Sequence, residues 1–184
     1  MSRKLAVKTV KSGCFQRFAI TSNETIEIWA FDEHRIGLQP VIRHVWVAPD
    51  EKTPIIPVYP RYEWTWLYGF VHPESGKTCT LLIPYVNTNA FDAALELFAK
   101  EVGVGCGKRI LLVLDQARWH TTQKLQVPDG IHLEFLPPYS PELQPAEHLW
   151  PLTNGVLINE CFESMEELED AQSERCIELY NNPN

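Results

Sequence analysis

Residues Arg109–Asp115 read RILLVLD, five apolar residues in an unbroken run that starts on a cation and ends on a carboxylate. A continuous apolar run of this length has no polar face, so it reads as a strand covered on both sides, as in the middle of a sheet flanked by helices. Ile131–Leu136 (IHLEFL) reads as another strand. Upstream, Thr88–Val102 (TNAFDAALELFAKEV) carries Phe91, Leu95, Phe98 and Val102 at spacings of 4, 3 and 4. That spacing predicts an amphipathic helix, with Thr88 or Asn89 as its cap and Gly103 as its stop. Trp64–His72 and Lys77–Tyr85 are rich in aromatic and β-branched residues and flank Pro73-Glu74-Ser75-Gly76, which predicts a hairpin. Ile26–Asp32 (IEIWAFD) reads as a further strand. Gln39–Tyr62 holds five prolines and reads as a long loop or edge hairpins, because proline cannot donate to a central ladder. Pro145–Ile158 and Ser164–Tyr180 read as helices, the second opened by the capping box Ser164-Met165-Glu166-Glu167. A short helix is expected between Asp115 and Ile131. A hairpin followed by alternating helices and strands implies an α/β fold with a mixed sheet and helices on its faces.

The chain has 184 residues, 45% hydrophobic and 22% charged, with 9 Gly and 14 Pro. Those values fit one ordinary globular domain and exclude collagen, coiled coil and global disorder. No apolar run approaches the roughly 18 residues of a membrane span, and Lys8 and Lys11 interrupt any signal-peptide core. The five cysteines are odd in number and scattered, without C-x-x-C, which suits a reducing cytoplasm and argues against a zinc ribbon. Charge is polarised. Residues 1–20 hold five cations and no acid, and the end of the chain is acidic, for a net charge of −8. That balance weighs against nonspecific nucleic-acid binding, which usually needs a basic field.

Three carboxylates stand out by position. Asp32 ends the first strand, Asp115 ends the most buried one, and Glu147 lies in the first turn of a helix after a proline-stiffened approach. A carboxylate at the end of a buried strand is costly unless it is paired or binds a metal. In open α/β sheets, ligands collect beyond the strand ends. Hard oxygen donors without histidine favour Mg²⁺ or Mn²⁺ over zinc. Each residue also has an ordinary reading. An aspartate after a strand is commonly a turn or cap residue, and a glutamate near a helix N-terminus is favoured by the dipole.

The surrounding phrases are more specific. Phe135–Trp150 reads FLPPYSPELQPAEHLW, Phe31–Leu38 reads FDEHRIGL, and Leu114–His120 reads LDQARWH. These three ordered motifs resemble the DDE transposases of bacterial insertion sequences, in the mariner-like superfamily. There the third carboxylate follows a phrase like FLPPYSPELNPIE, the first sits in F-D-E-x-R-I-G-L and the second opens L-D-N-A-x-W-H. The resemblance covers about residues 26–180, and the 31 residues between Asp115 and Glu147 resemble the family's spacing. It implies a ribonuclease H-like fold over residues 26–184, after a basic arm at 1–25. It also implies DNA cleavage and strand transfer with two Mg²⁺ or Mn²⁺ ions held by Asp32, Asp115 and Glu147. DNA is the implied partner, a homodimer is allowed, and no membrane is involved.

Gln116 and Gln144 replace asparagines usual in the family, and His148 stands where an arginine is common. Pro151 deprives the Glu147 carbonyl of its helical N–H, so a kink or a short first helix is expected there. The family's N-terminal helix-turn-helix region is expected to be missing or supplied by another reading frame. Arg35, Trp119, His120 and His148 are candidate contacts to DNA or phosphate, with a structural hydrogen bond the competing role for His120. Trp29, Trp64 and Trp66 are expected in the core. Two rival functions remain at this point. One is a catalytically silent remnant acting through protein association. The other is a metal-independent glycosidase using two carboxylates.

Overall fold

The computed structural model describes residues 24–52, 55, 61–105 and 107–183. The basic arm, but for its last two residues, lies outside that range, as do Cys14 and Cys106. The described strands are β1 (Thr25–Gly37), β2 (Trp64–Val71), β3 (Thr78–Ile83), β4 (Lys108–Leu114) and β5 (Ile131–Phe135). They form one sheet in the order β3-β2-β1-β4-β5. β1, β2 and β3 pair antiparallel, and β4 and β5 add in parallel. This is the mixed sheet expected from the order of elements. β1 and β4 are interior strands, which explains why RILLVLD needs no polar face.

Alternation along β1 sorts its side chains between two faces. Trp29 and Phe31 point to one, where they pack with Phe70, Phe91, Phe98, Ile110, Leu112 and Leu114. The helix covering that face is α1 (Thr88–Val102), which buries Phe91, Ala94, Leu95 and Phe98. Phe98 stacks on Phe70 at 4.1 Å between ring centroids and meets Trp29 edge-on at 5.1 Å. Burying each such ring contributes roughly 1.5–3 kcal/mol. The helix ends at Gly103, whose φ of 69° is the left-handed cap conformation that favours glycine. Its N-cap is Asn87, whose side chain accepts from the Ala90 N–H, rather than Thr88 or Asn89.

The opposite face is covered by α3 (Met165–Asn181) and by short turns between residues 141 and 156. Ser164 caps α3 by accepting from the Glu167 N–H. The reciprocal bond of the box goes one residue astray, since Glu167 accepts from the Glu163 N–H instead of that of Ser164. The helix expected over Pro145–Ile158 is broken into a 3-10 turn (Pro145–His148), a single α-turn that we label α2 (Trp150–Thr153) and another 3-10 turn (Asn154–Val156). Pro151 is the physical cause, because its nitrogen has no proton for the Glu147 carbonyl.

Three further expectations need correction. β1 does not stop at Asp32 but runs on to Gly37, because β2 supplies ladder partners as far as Gly37↔Trp64. No helix forms between β4 and β5. That stretch is held by side chains, including Asp92, which accepts from the Gln126 N–H at 2.8 Å. Trp64 is 50% exposed rather than core, whereas Trp66, partly buried, packs against the main core as expected.

Gly69 is where the backbone must be bare. It lies opposite Asp32 in the β1–β2 ladder. A Cβ there would lie 2.7 Å from Trp150 Cη2 and 2.9 Å from Leu149 Cδ2. The indole of Trp150 therefore rests directly on the β2 backbone. Gly69→Ala should destabilise the fold by about 1–3 kcal/mol, the usual cost of overpacking. Thermal melts measure the loss, and a shift in tryptophan emission should accompany it as Trp150 is displaced.

Candidate functional site

The parallel ladder pairs Ala30 with Val113. The same offset carried two residues further sets Asp32 level with Asp115. Asp32 shares one side of β1 with Ala30 and His34, the side opposite α1, and Asp115 follows directly on Leu114, the last residue of β4, near enough for its charge to raise Asp32. Two carboxylates thus meet where β4 ends. The 3-10 turn carrying Glu147 is fastened to β1 at both ends. Before it, Gln144 donates from Nε2 to the Phe31 carbonyl at 2.8 Å and is itself buried. After it, Trp150 donates from Nε1 to Asp32 Oδ2 at 3.0 Å. His34, next on that face, stacks on the Trp150 ring at 5.0 Å. Glu147 and His148 are exposed on this turn.

The two aspartates have opposite electrostatics. Burial pushes the Asp32 carboxyl up to about 6, with help from the charges of Glu33 and Asp115, against the lowering effect of the Trp150 hydrogen bond. Asp115 is more exposed, and its carboxyl is held below the usual range chiefly by the His120 hydrogen bond. His120 Nδ1 lies 2.9 Å from Asp115 Oδ1, and Nε2 lies 2.9 Å from Glu33 Oε1. Burial alone would lower the imidazole, but bonds to two carboxylates outweigh it and raise His120 to about 9. The geometry agrees, because a ring that bonds ionised carboxylates at both nitrogens must donate from both.

The structure gives the remaining candidates the following surroundings. His120 is 1% exposed with both ring nitrogens engaged, so it bonds within the protein and is closed to a phosphate. Trp119 is half-buried and donates its indole N–H to Glu33 Oε1 at 2.9 Å. Arg35 is exposed, with its guanidinium over the Trp64 ring at 5.5 Å. Gln116 donates to the Leu136 carbonyl and joins the ends of β4 and β5. Glu33, Gly69 and Trp150 were not singled out from the sequence. The available signal for Glu33 was alternation, since a carboxylate two residues after a buried Phe31 must sit against the α1 face and find a donor there.

The donor set suits a hard divalent cation. Two adjacent carboxylates, one made costly by burial, would both gain from a positive charge between them. Among the described residues, however, no group of three or more His, Cys, Asp or Glu is arranged to hold a metal ion. The structure therefore brings Asp32 and Asp115 together and carries Glu147, exposed, on a neighbouring turn. Among the described residues no helix is long and apolar enough to cross a membrane.

Comparison with known proteins adds three findings. A family model described as DDE superfamily endonuclease matches residues 27–169. Uncharacterized protein y4pE/y4sA of Sinorhizobium fredii (strain NBRC 101917 / NGR234) is 41% identical over 106 residues, covering 57% of this chain and 77% of that protein. Among solved structures, a pre-cleavage Mos1 transpososome matches with a TM-score of 0.61 at 16% identity, over 98% of this chain and 60% of that one. The mariner Mos1 paired-end complex with Mg matches with a TM-score of 0.58 at 19% identity, over 97% of this chain and 58% of that one. The chain thus spans about three fifths of the length of those solved transposase chains. The likeness shows the fold, which is ribonuclease H-like.

The raised Asp32 carboxyl makes stability depend on pH. Its folded value of about 6 lies above the ordinary 3.8. The stability that protonation contributes is therefore fully present below 3.8 and lost as pH rises through 6. A shift of roughly two units corresponds to about 3 kcal/mol. Without divalent ions, Asp32→Asn should be more stable than the parent at pH 7, and the difference should shrink toward pH 4. Parallel melts of the two proteins across that range measure it.

Proposed function

This chain belongs to the DDE superfamily of endonucleases, and we propose that it is the catalytic domain of a transposase that cleaves DNA and transfers its strands. The observation that carries the reading is the proximity of Asp32 on β1 and Asp115 just past the end of the neighbouring parallel β4, beside a turn that bears a third carboxylate. Asp32 and Asp115 hold divalent ions, Mg²⁺ or Mn²⁺ and two in number, through their carboxylate oxygens, and Glu147 completes the donor set. When bound, such ions supply positive charge at both the attacking and the leaving oxygen of an in-line phosphodiester displacement.

The rest is done by the chain's own groups. Trp150 fixes the Asp32 carboxylate through Oδ2 and keeps one side of it dry. Gln144 and Trp150 set the approach of Glu147 to β1. Arg35 and His148, both exposed, are the candidate phosphate contacts. Recognition of particular DNA ends belongs to a region outside this catalytic domain, in this chain or in a partner, which accounts for a chain with a net charge of −8. Phosphate contacts dominate nonspecific affinity, so binding of this chain to arbitrary duplex DNA in low salt should be no tighter than about micromolar. A fluorescence anisotropy titration reads it.

A second reading has one observation in its favour. The described residues contain no three-donor metal group, as would suit a silent remnant that acts by associating with other chains. One experiment separates the two. The purified chain is incubated with labelled terminal-repeat DNA and Mn²⁺, and nicking is measured alongside melting temperature. Catalysis requires nicking that Asp32→Asn, Asp115→Asn and Glu147→Gln each reduce by more than about a hundredfold, beyond what the loss of an outer-shell partner usually costs. A cation that binds only the folded state stabilises by about 2.7 kcal/mol at a hundredfold excess over Kd. Mn²⁺ should therefore raise the melting temperature of the parent and of Asp170→Asn, an exposed change on α3, and should raise that of Asp115→Asn much less. No nicking and no metal response would leave the silent reading standing.

A further inference from the structure

We propose that Glu33 and His120 act as a positioning pair that holds Asp115 in the orientation needed to bind a cation. This rests on the reading of Asp115 as a metal ligand. Asp115 lies just past the end of β4, with its side chain 57% exposed. A carboxylate in that place would ordinarily rotate among several conformers. Here both hydrogen bonds fall on one of its oxygens. Oδ1 accepts from the His120 ring at 2.9 Å and from the Ala117 N–H at 3.1 Å. Oδ2 is therefore the oxygen presented outward.

The ring that provides the main restraint is itself immobilised. The His120 side chain is fully buried, in edge contact with Phe31 at 5.6 Å between centroids and tilted on Phe91 at 4.4 Å. Its far nitrogen is fixed by Glu33, whose side chain is 5% exposed. Glu33 Oε1 also accepts from Trp119, the residue before His120. The His120 N–H closes a turn onto the Ala117 carbonyl at 3.0 Å. Restraint thus runs from β1, through a buried carboxylate and a caged imidazole, to the carboxylate beyond β4. Glu33 follows Asp32 in the chain and points to the α1 face, so neighbouring residues of β1 would serve the site in different ways. Asp32 would bind, and Glu33 would orient the ligand across the sheet. Ligating carboxylates are held by such outer partners in many metal sites, and losing one typically lowers metal affinity 10- to 100-fold.

The test measures Mn²⁺ binding to the whole chain without DNA, from the electron paramagnetic resonance signal of free Mn²⁺. The proteins are the parent, Asp115→Asn, His120→Ala, Glu33→Met and Glu33→Gln, each checked for folding by circular dichroism. Asp115→Asn should lose binding. His120→Ala and Glu33→Met should weaken it by about ten- to a hundredfold. Glu33→Gln should fall nearer the parent, because its amide oxygen still accepts from His120 and Trp119. A role limited to packing would not separate Glu33→Gln from Glu33→Met in metal affinity once both are folded. If His120→Ala does not fold, the Glu33 pair decides. Parent-like affinity in folded His120→Ala and Glu33→Met, with binding lost in Asp115→Asn, would overturn the positioning pair and leave the metal reading intact. Parent-like affinity in Asp115→Asn would overturn both.

Discussion

A carboxylate on one strand and another just past the end of its parallel neighbour repel each other, and the structure around them is a response to that repulsion. Like charges at such a site cannot both be ionised cheaply in a partly buried setting. The fold gives the two aspartates different surroundings. Asp32 receives a neutral donor, the Trp150 indole, and enough burial to push its carboxyl up to about 6. Asp115 receives an imidazole bonded at both nitrogens and is held low. One carboxyl is biased toward its proton and the other toward its charge, and this lets them share a site without a cation. The same asymmetry prepares the site for one, because an incoming positive charge favours the ionised form of both.

The response reaches well into the framework. Trp150 can donate to Asp32 only because Gly69, opposite Asp32 on β2, lets the indole lie on bare backbone. Trp150 arrives there because Pro151 ends the preceding helical geometry and leaves Glu147 on a 3-10 turn. A four-residue turn has few internal hydrogen bonds, so its position is set by its tertiary anchors at Gln144 and Trp150. The glutamines that depart from the family's asparagines keep this anchoring chemistry. Gln144 reaches the Phe31 carbonyl and Gln116 the Leu136 carbonyl. Both are amide donors, one methylene longer, acting on backbone acceptors.

Much of this was readable from the residues. A continuous apolar run marked β4, the hairpin was bracketed by its turn, and a 4-3-4 spacing marked α1. Pro151 announced the broken helix. What was not readable depends on distant partners. The extent of β1 past Asp32 is decided by β2, whose ladder continues to Gly37, and polar residues in HRIG gave no hint of it. The cap of α1 fell among three consecutive polar residues, and backbone conformation selected Asn87, which is extended at φ −161°. Trp64 and Trp66 alternate onto one face, but Trp64 opens β2 at the end of the ladder and is half exposed while Trp66 packs against the core, so burial did not follow from periodicity alone. Asp32 and Asp115 were visible as strand-end acids, whereas their common level was not, since parallel register between segments so far apart in the chain is fixed only by packing.

Glu33 shows how a site residue can stay hidden in a motif that names it. The phrase FDE draws attention to its aspartate, and the glutamate beside it looks like a second solvated acid. Strand alternation separates the two. Asp32 faces the turn that carries Glu147, and Glu33 faces Phe91 and the ring of His120, where a charge is tolerated only against donors. Trp119 and His120 supply them from consecutive positions, both onto one oxygen. The bond from His120 to Asp115 then completes a path from β1 to β4 around the end of the sheet. A buried acid of β1 is thereby tied to an exposed acid just past β4. That tie explains why the segment after Asp115 is built from loop rather than helix. A regular helix begun there would direct its side chains by helical period, whereas the turn at Ala117–His120 folds the imidazole back beneath the residue it holds.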